Sequence, residues 1–167
     1  DDMVSRGLGD VYKRQDDNVT NNDGVSIGSS TLYLDGIKVG DGGQTTGRLN
    51  LTVFPTSDFK FNLALFGADN IFSNINAEDF DEPDGGNAQL PAYKLFDFGA
   101  GYNFDLFGNN AYLRLNINNV FDEEYYPEME NNYLATDDST NYMGINTANR
   151  IFPGWGRTWN VGLTYRF

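Results

Sequence analysis

The 167-residue chain contains no cysteine and no histidine. Their absence excludes a disulfide framework, a thiol nucleophile, most zinc sites and the commonest general base. Positive charge is also scarce, since 11 basic residues stand against 24 acidic ones, for a formal net charge of −13. Because phosphate contacts need a basic surface, this balance argues against nucleic acid as a partner. We expect no enzyme activity, no cofactor and no resident metal.

Long hydrophobic runs are missing as well. No apolar segment approaches the roughly 20 residues that a membrane-spanning helix needs, and no signal peptide is visible. If the chain lies in a membrane, it must therefore cross with strands. Aromatic residues make up 15% of the chain and there are 19 glycines, a composition that favours strands and turns over helices. The composition predicts an all-β protein, either one domain or a piece of a larger one.

The first fifteen residues, DDMVSRGLGDVYKRQ, differ in character from the rest and lack its alternation of apolar and polar residues. The stretch VSRGLGDVYKRQ resembles translated adapter or vector sequence. We interpret residues 1–15 as a non-native or disordered leader and assign the fold to residues 16–167.

Five segments alternate apolar and polar residues with a period of two, which predicts strands with one apolar and one polar face. They are residues 47–54, 59–67, 93–104, 111–121 and 158–167, and a weaker strand-like segment covers residues 25–39. The short links PTSD (residues 55–58) and DLFGNN (residues 105–110) carry turn residues and predict antiparallel hairpins.

The remaining connections, residues 68–92 and 122–157, are long, polar and acidic. In an up-and-down sheet, alternate connections lie at the same end, so one end has short turns and the other has long loops. That asymmetry is typical of outer-membrane barrels. The acidic stretch DFDEPDGG (residues 79–86) does not fit a calcium-binding loop, because Pro83 stands where a ligand is needed and Gly85 comes one place too late.

Alternation alone does not distinguish a barrel from a soluble β-sandwich. A barrel is favoured by strands of about 8 to 12 residues and by charged residues on the polar faces. It is also favoured by rings towards the strand ends, as in membrane-interface girdles: Phe59, Phe96, Phe104, Trp159, Tyr165 and Phe167. The polar face then lines a wet lumen, with Asp97, Arg114, Asn116, Asn118 and Arg166 as predicted lumen-facing residues.

LRLNINNVFDEEYYPE followed by RIFPGWGRTWNVGLTYRF resembles the C-terminal end of a TonB-dependent outer-membrane receptor. LYLDGIKVGDGGQTTGRLNLTVFP and LPAYKLFDFGAGYNF resemble the preceding barrel segments of that family, so the resemblance covers about residues 25–167. It implies an antiparallel up-and-down transmembrane β-barrel of about 22 strands. The chain would supply the last five to seven of them, without the plug domain.

The resemblance implies a function in the outer membrane, as part of a barrel for TonB-energised import of a scarce nutrient. Implied partners are outer-membrane lipid, the barrel-assembly machinery, the TonB complex through the missing plug, and an unknown small-molecule or oligomeric ligand. The implied assembly signal is Trp159, Val161, Leu163, Tyr165 and Phe167. Candidate substrate-contacting loop residues are Tyr125, Tyr126, Tyr133 and Tyr142. A smaller passive porin or structural barrel and a soluble β-sandwich binding module remain as alternatives.

Overall fold

A computed structural model of the chain describes residues 15–20, 22–33, 37–40, 42–74, 80 and 86–167. This part of the chain is built from strands joined by turns and irregular segments. In chain order the strands are β1 (Gln15–Thr20), β2 (Ser26–Leu32), β3 (Gly43–Val53), β4 (Phe59–Phe72), β5 (Gln89–Leu90), β6 (Tyr93–Leu106), β7 (Asn109–Asn118), β8 (Glu128–Met129), β9 (Asn141–Tyr142), β10 (Ile145–Asn146), β11 (Ile151–Phe152) and β12 (Thr158–Tyr165). Every strand pair with a defined register is antiparallel, which confirms the all-β antiparallel prediction. No helix of the described residues is long and apolar enough to cross a membrane.

Most of the long strands form one up-and-down sheet, in the order β12, β7, β6, β4, β3, and β5 pairs with the end of β4. All five segments with clear alternation are strands of this sheet; β3, β4 and β6 run further than predicted, whereas β7 and β12 end two or three residues earlier than predicted. The backbone N–H of Arg166 donates to the carbonyl of Asn110 at 3.1 Å, so the pairing of β12 with β7 continues past the end of the strand. Within the described residues the sheet has β12 and β3 as its outer strands, and no closed barrel is formed.

Both short links of the sheet are tight turns at the same end. Phe107 and Gly108 have φ values of 55° and 82°, and two consecutive positive values define the type I′ turn that suits a two-residue hairpin. The N–H of Gly108 also donates to Oδ1 of Asp105 at 3.0 Å. Between β3 and β4, the hydroxyl of Thr56 accepts from the N–H of Phe59 at 3.1 Å. Because the strands are antiparallel, the long segments after β4 and β7 leave the sheet at its other end.

The chain divides into two compact units. The sheet unit comprises Gln44–Asp69, Ala92–Tyr126 and Pro153–Phe167. The loop unit comprises the described residues of Asn70–Pro91 and Pro127–Phe152 and those that precede Gln44. Strands β1 and β2 pair with each other, and the two-residue strands pair as β8 with β11 and β9 with β10. Of the weak segment at residues 25–39, the structure assigns only Ser26–Leu32 to a strand, and residues 34–36 lie outside the described residues.

The loop unit has a hydrophobic core, although the sequence predicts only polar connections there. Its most buried large side chains, each at most 3% exposed, are Ile71, Phe80, Leu90, Met129 and Ile145. In the same unit, Oδ1 of the partly buried Asn132 accepts from the hydroxyl of Ser73 and the N–H of Ala88, both at 2.6 Å, while its amide donates to the carbonyl of Gly86 at 2.6 Å. The apolar residues of this core have no regular spacing, so periodicity does not reveal it.

Candidate functional site

One face of the sheet in the sheet unit is apolar across its paired strands. The register aligns residues of β4, β6, β7 and β12 in rows that run across the sheet, and side chains two apart on a strand point to the same face. Three such rows are Leu63, Phe98, Ile117 and Trp159; Phe61, Ala100, Leu115 and Val161; and Phe59, Tyr102, Leu113 and Leu163. Every position in these rows is apolar or aromatic, so the face is continuous.

This apolar face is exposed on the outer strands of the sheet and mostly half-exposed on the central ones. On β12 the exposed fraction is 71% for Trp159 and 59% for Leu163, and on β3 it is 68% for Leu49. A soluble β-sandwich would cover such a face with a second sheet about 10 Å away and bury these side chains. The large buried side chains lie instead mostly in the loop unit. The face is therefore a large uncovered apolar surface, of the kind that marks a membrane or protein contact.

Aromatic rings gather at both ends of this face. At the end with the short turns, the ring centroid of Tyr102 lies 4.6 Å from that of Phe59 and 5.5 Å from that of Phe104. At the other end, Phe96 and Phe121 are 5.5 Å apart. Two further rings, those of Phe61 and Phe98, lie between these clusters, so the aromatic residues are enriched at the ends but not restricted to them.

The residues of the predicted assembly signal lie along β12, an outer strand of the sheet. Trp159, Val161, Leu163 and Tyr165 share the apolar face, in register with Ile117, Leu115, Leu113 and Ala111 of β7. Phe167 lies beyond the end of the strand, is fully exposed, and has its ring 6.2 Å from that of Tyr165. The signal residues thus form one exposed stripe along the edge of the sheet.

The opposite face is polar and holds the five predicted lumen-facing residues. The amide of Asn116 donates to Oδ1 of Asn160 at 2.9 Å, and that of Asn118 donates to the hydroxyl of Thr158 at 3.1 Å. Arg114 lies opposite Gly162 in the register, and Arg166 lines a polar pocket with Tyr112. Hydrogen-bonded side chains therefore bridge β7 and β12 on this face, as β-sheet neighbours do.

Glycine leaves room on the polar face where side chains from neighbouring strands meet. A Cβ atom on Gly99 would lie 3.4 Å from both the amide nitrogen of Asn62 and Oδ1 of Asn116. Asn62 in turn accepts a hydrogen bond from the hydroxyl of Thr52 at 3.0 Å. The polar row consequently extends from β3 to β12, with Gly99 at its centre, which agrees with the role of a strand glycine in close packing.

Asp97 and Asn119 begin a cluster that joins the end of β7 to the start of β12. Asn119 is only 3% exposed and has a φ of 50°, a conformation that asparagine tolerates better than most residues. Its N–H donates to Oδ1 of Asp97 at 2.9 Å, and its amide donates to the carbonyls of Glu123 at 2.9 Å and Trp155 at 3.2 Å. We call Asn119, Asp122, Tyr125, Gly154 and Arg157 the clasp.

The other residues of the clasp are joined by further hydrogen bonds and by a ring contact. Oδ1 of Asp122 accepts from the N–H of Arg157 at 2.7 Å, and the N–H of Gly154 donates to the carbonyl of Tyr125 at 2.8 Å. A Cβ atom on Gly154 would overlap the ring of Tyr125, so the ring lies directly against the backbone there. Sequence reasoning did not identify the clasp. The sequence does carry a signal for the clasp, because NNVFD follows one predicted strand and GWGR precedes another.

The four loop tyrosines occupy two different environments. Tyr125 packs against Gly154 and against the ring of Tyr93, whose centroid is 4.5 Å away. Tyr126 is 7% exposed, and its hydroxyl donates to Glu124. Tyr133 and Tyr142 belong to the loop unit and are about half exposed. Ligand contact by any of the four stays a prediction, and the exposed pair is the more accessible.

The described residues contain no group of three or more His, Cys, Asp or Glu side chains that could hold a metal ion. Comparisons with models of protein families, with curated proteins and with solved structures find no match to this chain. Its own geometry, with an exposed apolar face, a hydrogen-bonded polar face and a clasp at one end, is what bears on function.

Proposed function

We propose that the chain is a wall segment of an outer-membrane β-barrel, with its apolar face against lipid and its polar face towards the lumen. The observation that carries the proposal is the exposed apolar face, whose cross-strand rows are apolar from β4 to β12. A lipid bilayer is a solvent in which such a face is stable, and antiparallel strands with short turns at one end suit a barrel.

The height of the face supports this proposal. From Phe96 to Phe104, β6 rises eight residue steps, which is about 27 Å at roughly 3.4 Å per residue. With the strand tilt of about 40° usual in barrels, this corresponds to about 20 Å along the barrel axis, most of the apolar band of about 25 Å in outer-membrane barrels. The ring clusters at the two ends of the face would then lie near the two membrane interfaces.

Within the barrel we further propose a share in TonB-energised uptake of a scarce nutrient, which rests on the family resemblance of the clasp and β12 sequences. The stripe of Trp159, Val161, Leu163, Tyr165 and Phe167 would serve as the signal for the barrel-assembly machinery. The lumen-facing residues would line the path of a solute that is moved without chemical change, and the TonB complex would act through a plug encoded upstream.

The lipid contact is tested with tryptophan fluorescence, because the chain has two tryptophans and one lies on the apolar face. The variant Trp155→Phe leaves Trp159 as the sole reporter. In phosphatidylcholine vesicles we expect blue-shifted emission that brominated lipid quenches and aqueous iodide does not. The matched variant Trp159→Phe leaves Trp155, which is 83% exposed and adjoins the clasp, and should show weaker quenching by the brominated lipid.

Quenching of Trp159 by iodide but not by brominated lipid would overturn the barrel proposal, as would a chain that is a soluble, cooperatively folding monomer without detergent. The TonB-dependent part is tested separately by determining the coding sequence upstream of residue 16. A plug-like domain there excludes a small passive porin, whereas an upstream sequence that encodes only a few further strands contradicts the receptor assignment.

A further inference from the structure

The charge of the chain is unevenly distributed between its two units. The sheet unit has seven acidic and six basic residues, while the remaining residues include 17 acidic and five basic ones. Nearly all of the net charge of −13 therefore lies outside the sheet unit. In a strongly acidic protein, a nearly neutral unit with basic residues on one face is a distinct electrostatic feature.

Two basic residues of the polar face lie in a row across the strands in which cations alternate with glycines. The register aligns Lys60 on β4 with Gly101 on β6, Gly101 with Arg114 on β7, and Arg114 with Gly162 on β12. Cε of Lys60 lies 2.9 Å from the position of a Cβ atom on Gly101, and Nη2 of Arg114 lies 4.0 Å from that of Gly162. Each long basic side chain thus lies over a neighbouring glycine.

Tyr112 and Arg166 complete this cluster, which we call the cation row. Nζ of Lys60 lies 5.5 Å from the centroid of the Tyr112 ring. Beside it is a pocket of about 340 Å³ whose wall consists of Lys60, Asn103, Asn110, Tyr112, Thr164 and Arg166. The wall combines two cations with amide and hydroxyl groups that donate hydrogen bonds, and this donor set suits an anion.

Two acidic residues of the same face, Asp97 and Asp105, accept hydrogen bonds from backbone N–H groups, and Asp105 lies opposite Asn110 of the pocket wall in the register. Oδ1 of Asp97 accepts from the N–H of Asn119 at 2.9 Å, and Oδ1 of Asp105 accepts from the N–H of Gly108 at 3.0 Å. Among the described residues, no salt bridge joins Lys60, Arg114 or Arg166 to a carboxylate, whereas Arg150 pairs with Glu130 in the loop unit. The cation row is therefore not neutralised by acidic side chains of the described chain.

We infer that the cation row binds a small multivalent anion, a carboxylated or phosphorylated solute, on the polar face of the sheet. This inference rests on the proposed function, because it assigns a substrate class to the lumen of the proposed importer. Arginine contacts a carboxylate or phosphate through two parallel N–H groups, and lysine adds a point charge. The glycines leave room for the side chains of Lys60, Tyr112 and Arg114 to lie across the neighbouring strands.

The test measures binding of inorganic phosphate and of citrate to the full chain, folded in detergent micelles, by isothermal titration calorimetry at an ionic strength of about 0.1 M, where the screening length is about 10 Å. We expect saturable binding of at least one of these anions, weakened about tenfold or more in the double variant Lys60→Gln/Arg166→Gln, because the two cations of the pocket wall and their charge-assisted contacts are lost. Arg48→Gln is the control. Arg48 lies on the same face beside Asp97, in a different pocket, and its removal should change the affinity less than about twofold.

A third variant, Gly101→Val, keeps every charge but fills the space under Lys60 and Tyr112. It should also weaken binding, and a circular dichroism spectrum like that of the wild type shows that the sheet has folded. Absence of saturable binding by the wild type overturns the inference, and so does an equal loss in the Arg48→Gln control.

The tryptophan experiment separates this inference from the proposed function. Lipid quenching of Trp159 without anion binding refutes the anion site alone. If the chain binds an anion but Trp159 is quenched by aqueous iodide and not by brominated lipid, the barrel proposal alone is refuted.

Discussion

The two units of the chain stabilise themselves in opposite ways. In the loop unit, side chains such as Met129 and Ile71 are buried, and a partly buried amide network centred on Asn132 holds two distant segments together. In the sheet unit, long strands are joined by backbone pairing, and the largest apolar side chains point outward. The loop unit has an interior of its own, whereas the sheet unit has two faces that require two different environments.

An apolar side chain therefore contributes to stability in a different way in each of the two units. A buried leucine in the loop unit is stabilised by neighbouring atoms of the same chain, and its removal leaves a cavity. An exposed leucine on the sheet depends on whatever lies against the apolar face from outside. Matched substitutions in the two units can therefore test the comparison directly.

The largest effect is expected from a pair of leucine truncations. Leu90 is 1% exposed and Leu163 is 59% exposed. Leu90→Ala should destabilise the loop unit by about 2 to 5 kcal/mol, because it removes a packed side chain and leaves a cavity. Leu163→Ala leaves no cavity and should cost less than about 1 kcal/mol. Amide hydrogen exchange in each unit measures both, and similar losses of protection for the two variants would erase the distinction between the units.

The next effect contrasts the two faces of the sheet. Leu115 and Asn116 are neighbours on β7 with opposite faces. In lipid vesicles Leu115→Arg should cost about 2 to 4 kcal/mol of unfolding free energy, because the arginine would enter hydrocarbon, whereas Asn116→Arg should be tolerated on the polar side. Denaturant titration of the vesicle-inserted chain gives both values. Equal costs would contradict a lipid-facing apolar side.

The clasp provides a polar counterpart within the sheet unit. Asn119→Ala should cost about 1 to 3 kcal/mol, because it removes a buried amide that makes three hydrogen bonds with backbone groups of Glu123 and Trp155. Asn118→Ala removes a single exposed bond to Thr158 and should cost about 0.5 to 1.5 kcal/mol. Chemical denaturation ranks the two variants, and the reverse order would show that the clasp does not stabilise the sheet.

The smallest effect is expected at the surface of the loop unit. Nη1 of Arg150 lies 2.9 Å from a carboxylate oxygen of Glu130, and both side chains are substantially exposed. Glu130→Gln should therefore cost about 0.2 to 1 kcal/mol, with Glu128→Gln as the control on a neighbouring acid. Thermal unfolding at low and high salt measures this loss of stability. A loss well above this range would mean that surface charge contributes to the loop unit as much as its core does.

The long strands were predictable because their side chains repeat with a period of two over eight or more residues. Leu113 to Ile117 on β7 and Trp159 to Tyr165 on β12 show this pattern, and the structure pairs them in register. The two-residue strands were not predictable, since a strand such as Glu128–Met129 is too short to show a period. The transmembrane barrel stays a prediction, because the described sheet is open.

The candidate sites also differ in how far the sequence alone could predict them. The face on which Arg114 or Asn116 lies follows from alternation, and so it could be inferred from sequence. The clasp could not, because it depends on Asn119 adopting a positive φ and reaching the carbonyl of Trp155, 36 positions later. The cation row also needed the register, since Lys60 and Arg114 are far apart in sequence and meet through Gly101.

The two-residue turn at Phe107 and Gly108 also affects the order in which the chain folds. The core of the loop unit combines Asn70–Pro91 with Pro127–Phe152, and the whole β6 to β7 hairpin lies between these segments in sequence. Closing a two-residue hairpin is a fast, local event, while contacts between distant segments form slowly. The hairpin should therefore form first, and the slow step in forming the core of the loop unit should be the later contact between its distant segments, such as that of Ser73 with Asn132.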